Sequence, residues 1–473
     1  MESGTTLLQA RIAAGLRPDA PCGGRGTCGK CRAVVDGREV LTCQTTVDRD
    51  MTVTLPEVRR ERVLTSGTAV SVQPDGTDRY ALALDAGTTT LAAYLLDGAS
   101  GALLASASAL NPQGQYGADV ISRIQYALEG GGNALRDCVR DALDALTRQM
   151  AEQVGISPHE ITAAAVAGNT AMHHLLLGIA PGPLVTPPYM PKVFEALELD
   201  PAGLLPIAGK IRMLPNIAGF VGGDTVACMT AIRFDELEEL TLLIDIGTNG
   251  EMVLGNKERR IACSTAAGPA FEGAKISCGM RGVEGAVDHV ILENGKRCHH
   301  VIGGGEAVGL CGSGLLDLIA VLLETGEIDG GGLLSGGGFR LDGTAVVLTQ
   351  RDVREVQLAK AAIRAGIELL SQTLGRAVED IRTVYLAGAF GNYLDPASAC
   401  RIGMLPPCLE DRIIPIGNAA GEGAKLCALS RDAYTYSQRL AEGTEFLELA
   451  SLPQFQDCYV DALEFSEDED DPL

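Results

Sequence analysis

Basic residues are scarce in this sequence: 38 Lys and Arg face 61 Asp and Glu, a formal net charge of −23 over 473 residues. That balance argues against gripping nucleic acid through its phosphates and leaves no basic patch for an anionic membrane. A phosphorylated small ligand stays open, because backbone N–H groups hold phosphate without Lys or Arg. No apolar run reaches about 18 residues, and no Lys/Arg-rich start leads into an apolar stretch. Neither a membrane span nor a leader is expected, and the expected location is cytoplasmic. A P-loop is excluded, since G-x-x-x-x-G-K-[ST] does not occur. Cysteine, 14 residues in all, is too thinly spread for a disulfide scaffold. What the chain does have is 46% hydrophobic residues, enough for a sizeable core, and 58 glycines without a collagen period. Such glycines point to tight turns and close backbone approaches to ligands. The length suggests about three structural units.

Four cysteines fall early, Cys22, Cys28, Cys31 and Cys43, with x5, x2 and x11 between them. Four thiolates suit zinc or an iron–sulfur cluster. Zinc sites generally show two similar knuckles. Here one loop, PCGGRGTCGKC, supplies three cysteines and the fourth follows the strand RAVVDGREVL. Gly23, Gly24, Gly26 and Gly29 let backbone N–H groups turn inward towards bridging sulfides without Cβ clashes, and Arg25 and Lys30 add positive field. The pattern favours a [2Fe–2S] cluster over a zinc knuckle or unliganded structural thiols. The segment resembles the [2Fe–2S] ferredoxins, in which a helix, here TLLQARIAAGL, precedes the cluster loop. That family usually opens with a β-hairpin before the helix; with so little ahead of Thr5, the hairpin is expected to be missing, replaced by another element, or lost through a late assigned start.

Two further segments share a design. In ALDAGTTTLAAYLLD, Asp85 ends a strand and Gly87, Thr88, Thr89 and Thr90 form the turn. In LIDIGTNGEMVL, Asp245 is followed by Gly247, Thr248, Asn249 and Gly250. One Asp-x-Gly-Thr hairpin alone is often an ordinary Asx turn. Two imply related lobes that face one another, with backbone N–H and Thr hydroxyls on phosphate oxygens and the two carboxylates orienting Mg²⁺ through its waters. Neither hairpin continues into the G-x-G-x-x-G of a dinucleotide fold.

These motifs are similar to those of the superfamily of acetate and sugar kinases, 70-kDa heat-shock proteins and actin. LDAGTTT matches its first phosphate motif and IDIGTNGE its second. YLAGAFGNYLD stands where the adenosine motif lies, so the resemblance places Gly388, Ala389, Phe390 and Gly391 along the adenosine. NIAGFVGGDTVACM and GNAAGEGAKL match the two connecting helices, and Asp224 in the first is the candidate to position Mg²⁺ or the attacking water. A ferredoxin unit ahead of such a core resembles the reductive activators of corrinoid proteins. DAGTTT, GNTAMHH, GGD, DIGTNGE, AGPAFEGAKISCGMRG, GLCGSGLLDLIA and LAGAFGNYLD occur in that family's order, and the resemblance covers essentially residues 5–430. The linker and middle region are expected to be shorter than in characterised members.

Other residues carry weaker signals. Glu251, after the second turn, is a candidate base or holder of Mg²⁺ waters, with a salt-bridged strand end as the alternative. AGPAFEG, with Gly268 and Pro269, reads as a turn into a helix whose N-terminus faces phosphate. CGSGLLD, with Gly312, Ser313 and Gly314, reads as a helix starting close to the nucleotide. His173 is expected at the surface or at a helix cap. Ile121, Ile124 and Leu128 mark one apolar helix face, residues 330–341 read as a mobile loop, and the acidic stretch from Asp461 as a frayed tail.

The expected fold is α/β: a [2Fe–2S] ferredoxin-like α+β domain (1–57), a linker (58–79), two actin/Hsp70-like, ribonuclease H-like ATPase lobes (80–235 and 236–455) and an acidic tail (456–473). The resemblance implies ATP- and Mg²⁺-dependent reduction of Co(II) to Co(I) in a separate corrinoid protein of a methyltransferase system, which restores methyl transfer. An upstream reductant would supply the electron, and a homodimer is one assembly it allows. Alternatives are a cluster-containing small-molecule kinase or generic ATPase, and a nucleotide-dependent redox sensor or chaperone-like binding protein.

Overall fold

Each Asp-x-Gly-Thr segment folds as a β-hairpin within its own sheet, in a computed structural model that describes residues 4–14, 16, 20, 24, 26, 29–55 and 65–465. Near the N-terminus, helix α1 (Leu7–Ala13) starts at a capping box between Thr6 and Gln9. It lies on a sheet of β1 (Arg32–Val35), β2 (Arg38–Leu41) and β3 (Val53–Thr54), burying Leu7 and Ala10 against Val35. Leu8, also buried on this helix, packs with Ala20, Cys31 and Cys43. Residues 65–79, expected as linker, are strapped to the core: Thr68 donates to the Ile416 carbonyl, Val70 to Ala231 and Asp75 to Leu429. Residues 58–64 of that linker lie outside the described residues.

The first lobe follows with β4 (Tyr80–Ala86), β5 (Thr90–Asp97) and β6 (Leu103–Leu110), then α2 (Val120–Tyr126) and α3 (Gly132–Val154). Gly130, at φ 102°, sits in the π-helical turn between those helices. Ile124 is fully buried there, but Ile121 and Leu128 are each 53% exposed, so the expected apolar face is only partly covered. Strand β7 (Ile161–Ala167), helix α4 (Thr170–Leu177), strands β8 (Leu197–Leu199) and β9 (Lys210–Met213) and helix α5 (Gly223–Ala231) complete it. The sheet order is β6-β5-β4-β7-β9-β8.

The second lobe repeats the plan. Strands β10 (Thr241–Ile246), β11 (Gly250–Gly255) and β12 (Arg260–Thr265) form the meander. A small sheet of β13 (Ala286–Glu293), β14 (Lys296–Val301) and β15 (Gly309–Leu310) leads into α6 (Gly312–Glu324). The glycine-rich stretch expected as a loop includes β16 (Gly338–Arg340), paired with β17 (Val347–Thr349). The long amphipathic helix α7 (Gln350–Leu374) precedes β18 (Thr383–Ala387), α8 (Gly388–Tyr393), α9 (Pro396–Arg401) and β19 (Ile413–Gly417). Helices α10 (Ala419–Leu429) and α11 (Arg431–Glu442), strand β20 (Glu445–Phe446) and helix α12 (Phe455–Asp461) follow. The sheet order is β19-β18-β10-β11-β12-β20.

The two sheets match strand for strand at their centres. β4 pairs antiparallel with β5 and parallel with β7, as β10 does with β11 and β18. Asp85 therefore stands beside Ala167, and Asp245 beside Ala387, at the same place in each sheet. Between the sheets lies a core of small residues, in which α5 and α10 pack on Ala81, Ala83, Leu243 and Val253. Leucine-rich cores cover the outer faces, with α3 on the first lobe and α6 and α7 on the second. The expected frayed tail is not observed up to Phe465: that ring is 2% exposed, and Lys360 of α7 donates to the Glu464 carbonyl. Apolar burial there outweighs the charge of the stretch. Residues 466–473 lie outside the described residues. Among the described residues no helix is long and apolar enough to cross a membrane.

Candidate functional site

Because β4 and β10 end side by side, both turns open onto one cleft of about 320 Å³ between the lobes. Asp85, Asp224, Asp245 and Glu251 all line it. Burial comes first in raising each of them, and mutual repulsion adds to it for Asp85, Asp245 and Glu251. Asp85 and Asp245 are pushed up to about 7, Asp224 to about 6, and Glu251 well above the carboxylate range. Burial and mutual proximity thus favour the protonated forms of these four carboxyl groups. Among the described residues no three Asp, Glu, His or Cys side chains are placed to hold a metal ion directly.

Gly87, Thr88, Thr89 and Thr90 face Gly247, Thr248 and Asn249 across the cleft, while Gly250 belongs to β11. Gly388 is in left-handed conformation, φ 86°, and a Cβ there would stand 2.7 Å from an Asp245 carboxylate oxygen. It is followed along the wall by Ala389, Phe390 and Tyr393 of α8, with Gly391 behind them against Leu386. Helix α6 starts at the cleft with Gly312 and Ser313; Gly314 lies behind, where a Cβ would meet the Val287 carbonyl at 2.2 Å. Phe271 stacks on Phe390 at 4.8 Å between centroids.

Two expectations need correction. Gly268 and Pro269 do not reach this cleft; they line a larger neighbouring groove. No helix follows them: residues 266–285 run as turns, with Gly268 and Gly273 at positive φ. His173 is neither at the surface nor a cap. It is buried beside Asn216, and burial lowers its pKa to about 4.

Several site residues carried no label in the sequence reading. Asn169 and Asn418 each cap a helix through the side-chain oxygen. Their amide nitrogens reach the cleft, Asn169 to Thr88 Oγ1 at 2.7 Å and Asn418 to Asp85 Oδ2 at 2.9 Å. A Gly-Asn pair after an apolar strand, at 168–169 and 417–418, is the signal that could have found both. Asn111 donates to the Gly87 carbonyl and the buried Arg123 to that of Thr88, so both brace the first turn from behind. Glu272 reaches across the cleft: Thr89 Oγ1 donates to one of its oxygens at 2.8 Å and Thr248 Oγ1 to the other at 2.5 Å.

Of the four early cysteines, Cys22 and Cys28 lie outside the described residues. Cys31 and Cys43 are buried together, and Gly24 and Gly26 beside them take positive φ, 86° and 76°. A Cβ on Gly24 would lie 3.8 Å from Cys43 Cβ, so Gly24 itself stands close to that cysteine. Arg11 is nearly covered and interacts with Cys31, and its Nε and Nη1 have no hydrogen-bond partner among the described residues. A covered, under-satisfied guanidinium next to thiols suits an anionic sulfur-rich group.

Comparison with known proteins decides the family. Residues 80–237 match the RACo middle region, and residues 239–473 match the C-terminal domain of RACo, the ASKHA domain. The corrinoid activation enzyme RamQ of Eubacterium limosum is 37% identical over 80% of this chain and 69% of its own length. The chain belongs to the reductive activators of corrinoid proteins. A second relative is the [Co(II) methylated amine-specific corrinoid protein] reductase of Methanosarcina barkeri, 31% identical over 54% of this chain and 52% of its own. Among solved structures, a reductive activator for corrinoid, iron–sulfur protein superposes with TM-score 0.74 at 29% identity, covering 98% of this chain and 96% of that one. The activator's ASKHA core is thus the two-lobed unit described above. The middle region, expected to be shortened, is matched as residues 80–237.

Proposed function

We propose that this activator binds Mg–ATP between its lobes and uses nucleotide turnover to drive single electrons from a [2Fe–2S] cluster in residues 1–57 onto the cobalt of a separate corrinoid protein, Co(II) to Co(I). The observation that carries the reading is the pair of matching turns, which bring Thr hydroxyls of opposite lobes and four buried carboxylates to one cleft. Gly87–Thr90 and Gly247–Asn249 would cradle the phosphates. Asp85, Asp224 and Asp245 would orient Mg²⁺ through its waters, and Glu251 the attacking water. Gly388, Ala389 and Phe390 would meet the adenosine.

Cys22, Cys28, Cys31 and Cys43 would hold the cluster, which when bound carries one electron at a time. The buried Cys31 and Cys43, with Arg11 beside Cys31, fit that group. A hydrolytic cycle is needed because uphill transfer costs about 1.4 kcal/mol for each ~59 mV of one-electron gap. Rearrangement of two lobes around α5 and α10 gives the chain a way to deliver it. The corrinoid belongs to the partner, a protein of a methyltransferase system, and a cellular reductant reloads the cluster.

The test is direct. Protein purified without oxygen should hold two irons and two sulfides per chain. With reductant, Mg–ATP and a Co(II) corrinoid protein, it should produce Co(I) absorbance, with ATP hydrolysis stimulated by that partner. ATP hydrolysis with no cobalt reduction across several corrinoid proteins would overturn the assignment.

A further inference from the structure

Residues 266–285 join β12 to β13 without regular structure, a length at which a connection in a compact domain generally has a task. This segment lines the nucleotide cleft twice, at Glu272 and again at Met280 to Val283. Glu272 accepts hydrogen bonds from the hydroxyls of Thr89 and Thr248, in the two turns that the phosphates would use. Between those two stretches it meets the N-terminal unit. Lys30, next to Cys31, donates to the carbonyls of Ile276 at 3.1 Å and Gly279 at 2.6 Å.

The two contact points are mechanically one piece. Gly273, adjoining Glu272, folds back at φ 73°, and a Cβ there would lie 2.6 Å from the Met280 nitrogen. A Cβ on Gly279 would lie 2.4 Å from the Gly273 carbonyl oxygen. Backbone touches backbone with no side chain between, so little slack separates Glu272 from the carbonyls that Lys30 holds. Each Thr hydroxyl has a single proton to donate. A phosphate oxygen and a Glu272 oxygen therefore compete for it, and two anions cannot share the place cheaply.

We propose that residues 266–285 are a transmission element: Glu272 is a built-in competitor for the phosphate turns, and its displacement by nucleotide loosens the grip of Lys30 and frees the N-terminal unit from the core. This rests on the reading that the cleft takes a nucleotide. Linkage makes it quantitative. If nucleotide weakens the Lys30 clasp by some factor, the intact clasp weakens nucleotide binding by the same factor.

The experiment uses the full, iron-loaded chain and a non-hydrolysable Mg–ATP analogue. Hydrogen–deuterium exchange in residues 29–45 should quicken at least about fivefold when the analogue binds, the lower end of typical couplings. By calorimetry, Glu272→Ala and Lys30→Met should each bind the analogue at least about fivefold more tightly than the unaltered chain. Glu272→Gln, which keeps the shape and removes the charge, covers the case in which the alanine variant does not fold, and Lys30→Met should keep its iron. Weaker binding by both Glu272 variants would make Glu272 a ligand rather than a competitor and overturn the proposal. Unchanged exchange together with unchanged affinity in Lys30→Met would overturn it too. An unaltered chain that binds no analogue would overturn the functional reading itself, which is a separate and recognisable result.

Discussion

Arg11 and Arg123 are two nearly covered guanidiniums with different tasks. Arg11 faces Cys31, and burial lowers its pKa while the thiol raises it. A fixed cation beside a cluster favours the reduced form, so Arg11→Met should lower the midpoint potential by roughly 60 mV, the equivalent of about 1.4 kcal/mol. A redox titration followed by electron paramagnetic resonance would read the shift, with the iron count unchanged. Arg123 donates to Thr88, Gly117 and Gln113 and braces the first phosphate turn. Its replacement by Met should weaken nucleotide binding about tenfold, since hydrogen bonds from a charged group contribute about 1.5–3 kcal/mol, and calorimetry would show it. Asp85 and Asp245 were legible because a duplicated Asp-x-Gly-Thr is rare and its geometry local. Asn169 and Asn418 were half-legible, since Gly-Asn at a strand–helix junction announces a cap but not the second job of the amide. Nothing near Arg123 in sequence tells that its side chain ends behind a turn 35 positions earlier.

The connecting helices depend on glycines that local pattern marks only as helix-weakening. A Cβ on Gly423 of α10 would lie 2.0 Å from the Ala227 carbonyl of α5, and one on Gly421 would lie 2.5 Å from the Tyr94 hydroxyl. Gly423→Ala should force the two helices apart and cost about 1–3 kcal/mol by overpacking, against the small gain that alanine normally brings to a helix. Chemical denaturation would give the sign: a net loss of stability, where propensity alone predicts a gain. Hairpins, α5, α7 and α10 were readable because periodicity and caps are local signals. Residues 266–285 were not, because Gly268 and Gly273 at positive φ turn the chain where a Pro-Ala start suggests a helix. The strap of residues 65–79 and the helix Phe455–Asp461 escaped for a related reason. Their polar composition is overruled by docking that only the folded core supplies.

At the scale of the molecule, the acidic cleft sets how stability responds to pH. Asp85 and Asp245 near 7 and Asp224 near 6 stand against 3.8 for an exposed aspartate. Between about pH 4 and pH 7 the folded chain therefore binds more protons than the unfolded one, and stability falls as pH rises through that window. One group displaced by one unit corresponds to about 1.4 kcal/mol. The carboxylates repel one another and titrate as a set, so their contributions do not simply add. The overall charge of −23 pushes the same way, since self-repulsion grows as these groups ionise. Mg–nucleotide reverses the preference, because the cation needs the ionised forms. Thermal unfolding at pH 5.5 and pH 8 should thus show a falling Tm without ligand and a ligand-induced gain that is larger at the higher pH. Asp245→Asn separates the cleft from the background charge. The variant should be more stable than the unaltered chain at pH 8, more stable by a smaller margin at pH 5.5 and similar to it only below about pH 4, and slower in ATP hydrolysis by at least about 100-fold. An equal pH slope in both proteins would show that these carboxylates ionise freely, and that the closeness of the lobes is maintained without regard to their charge.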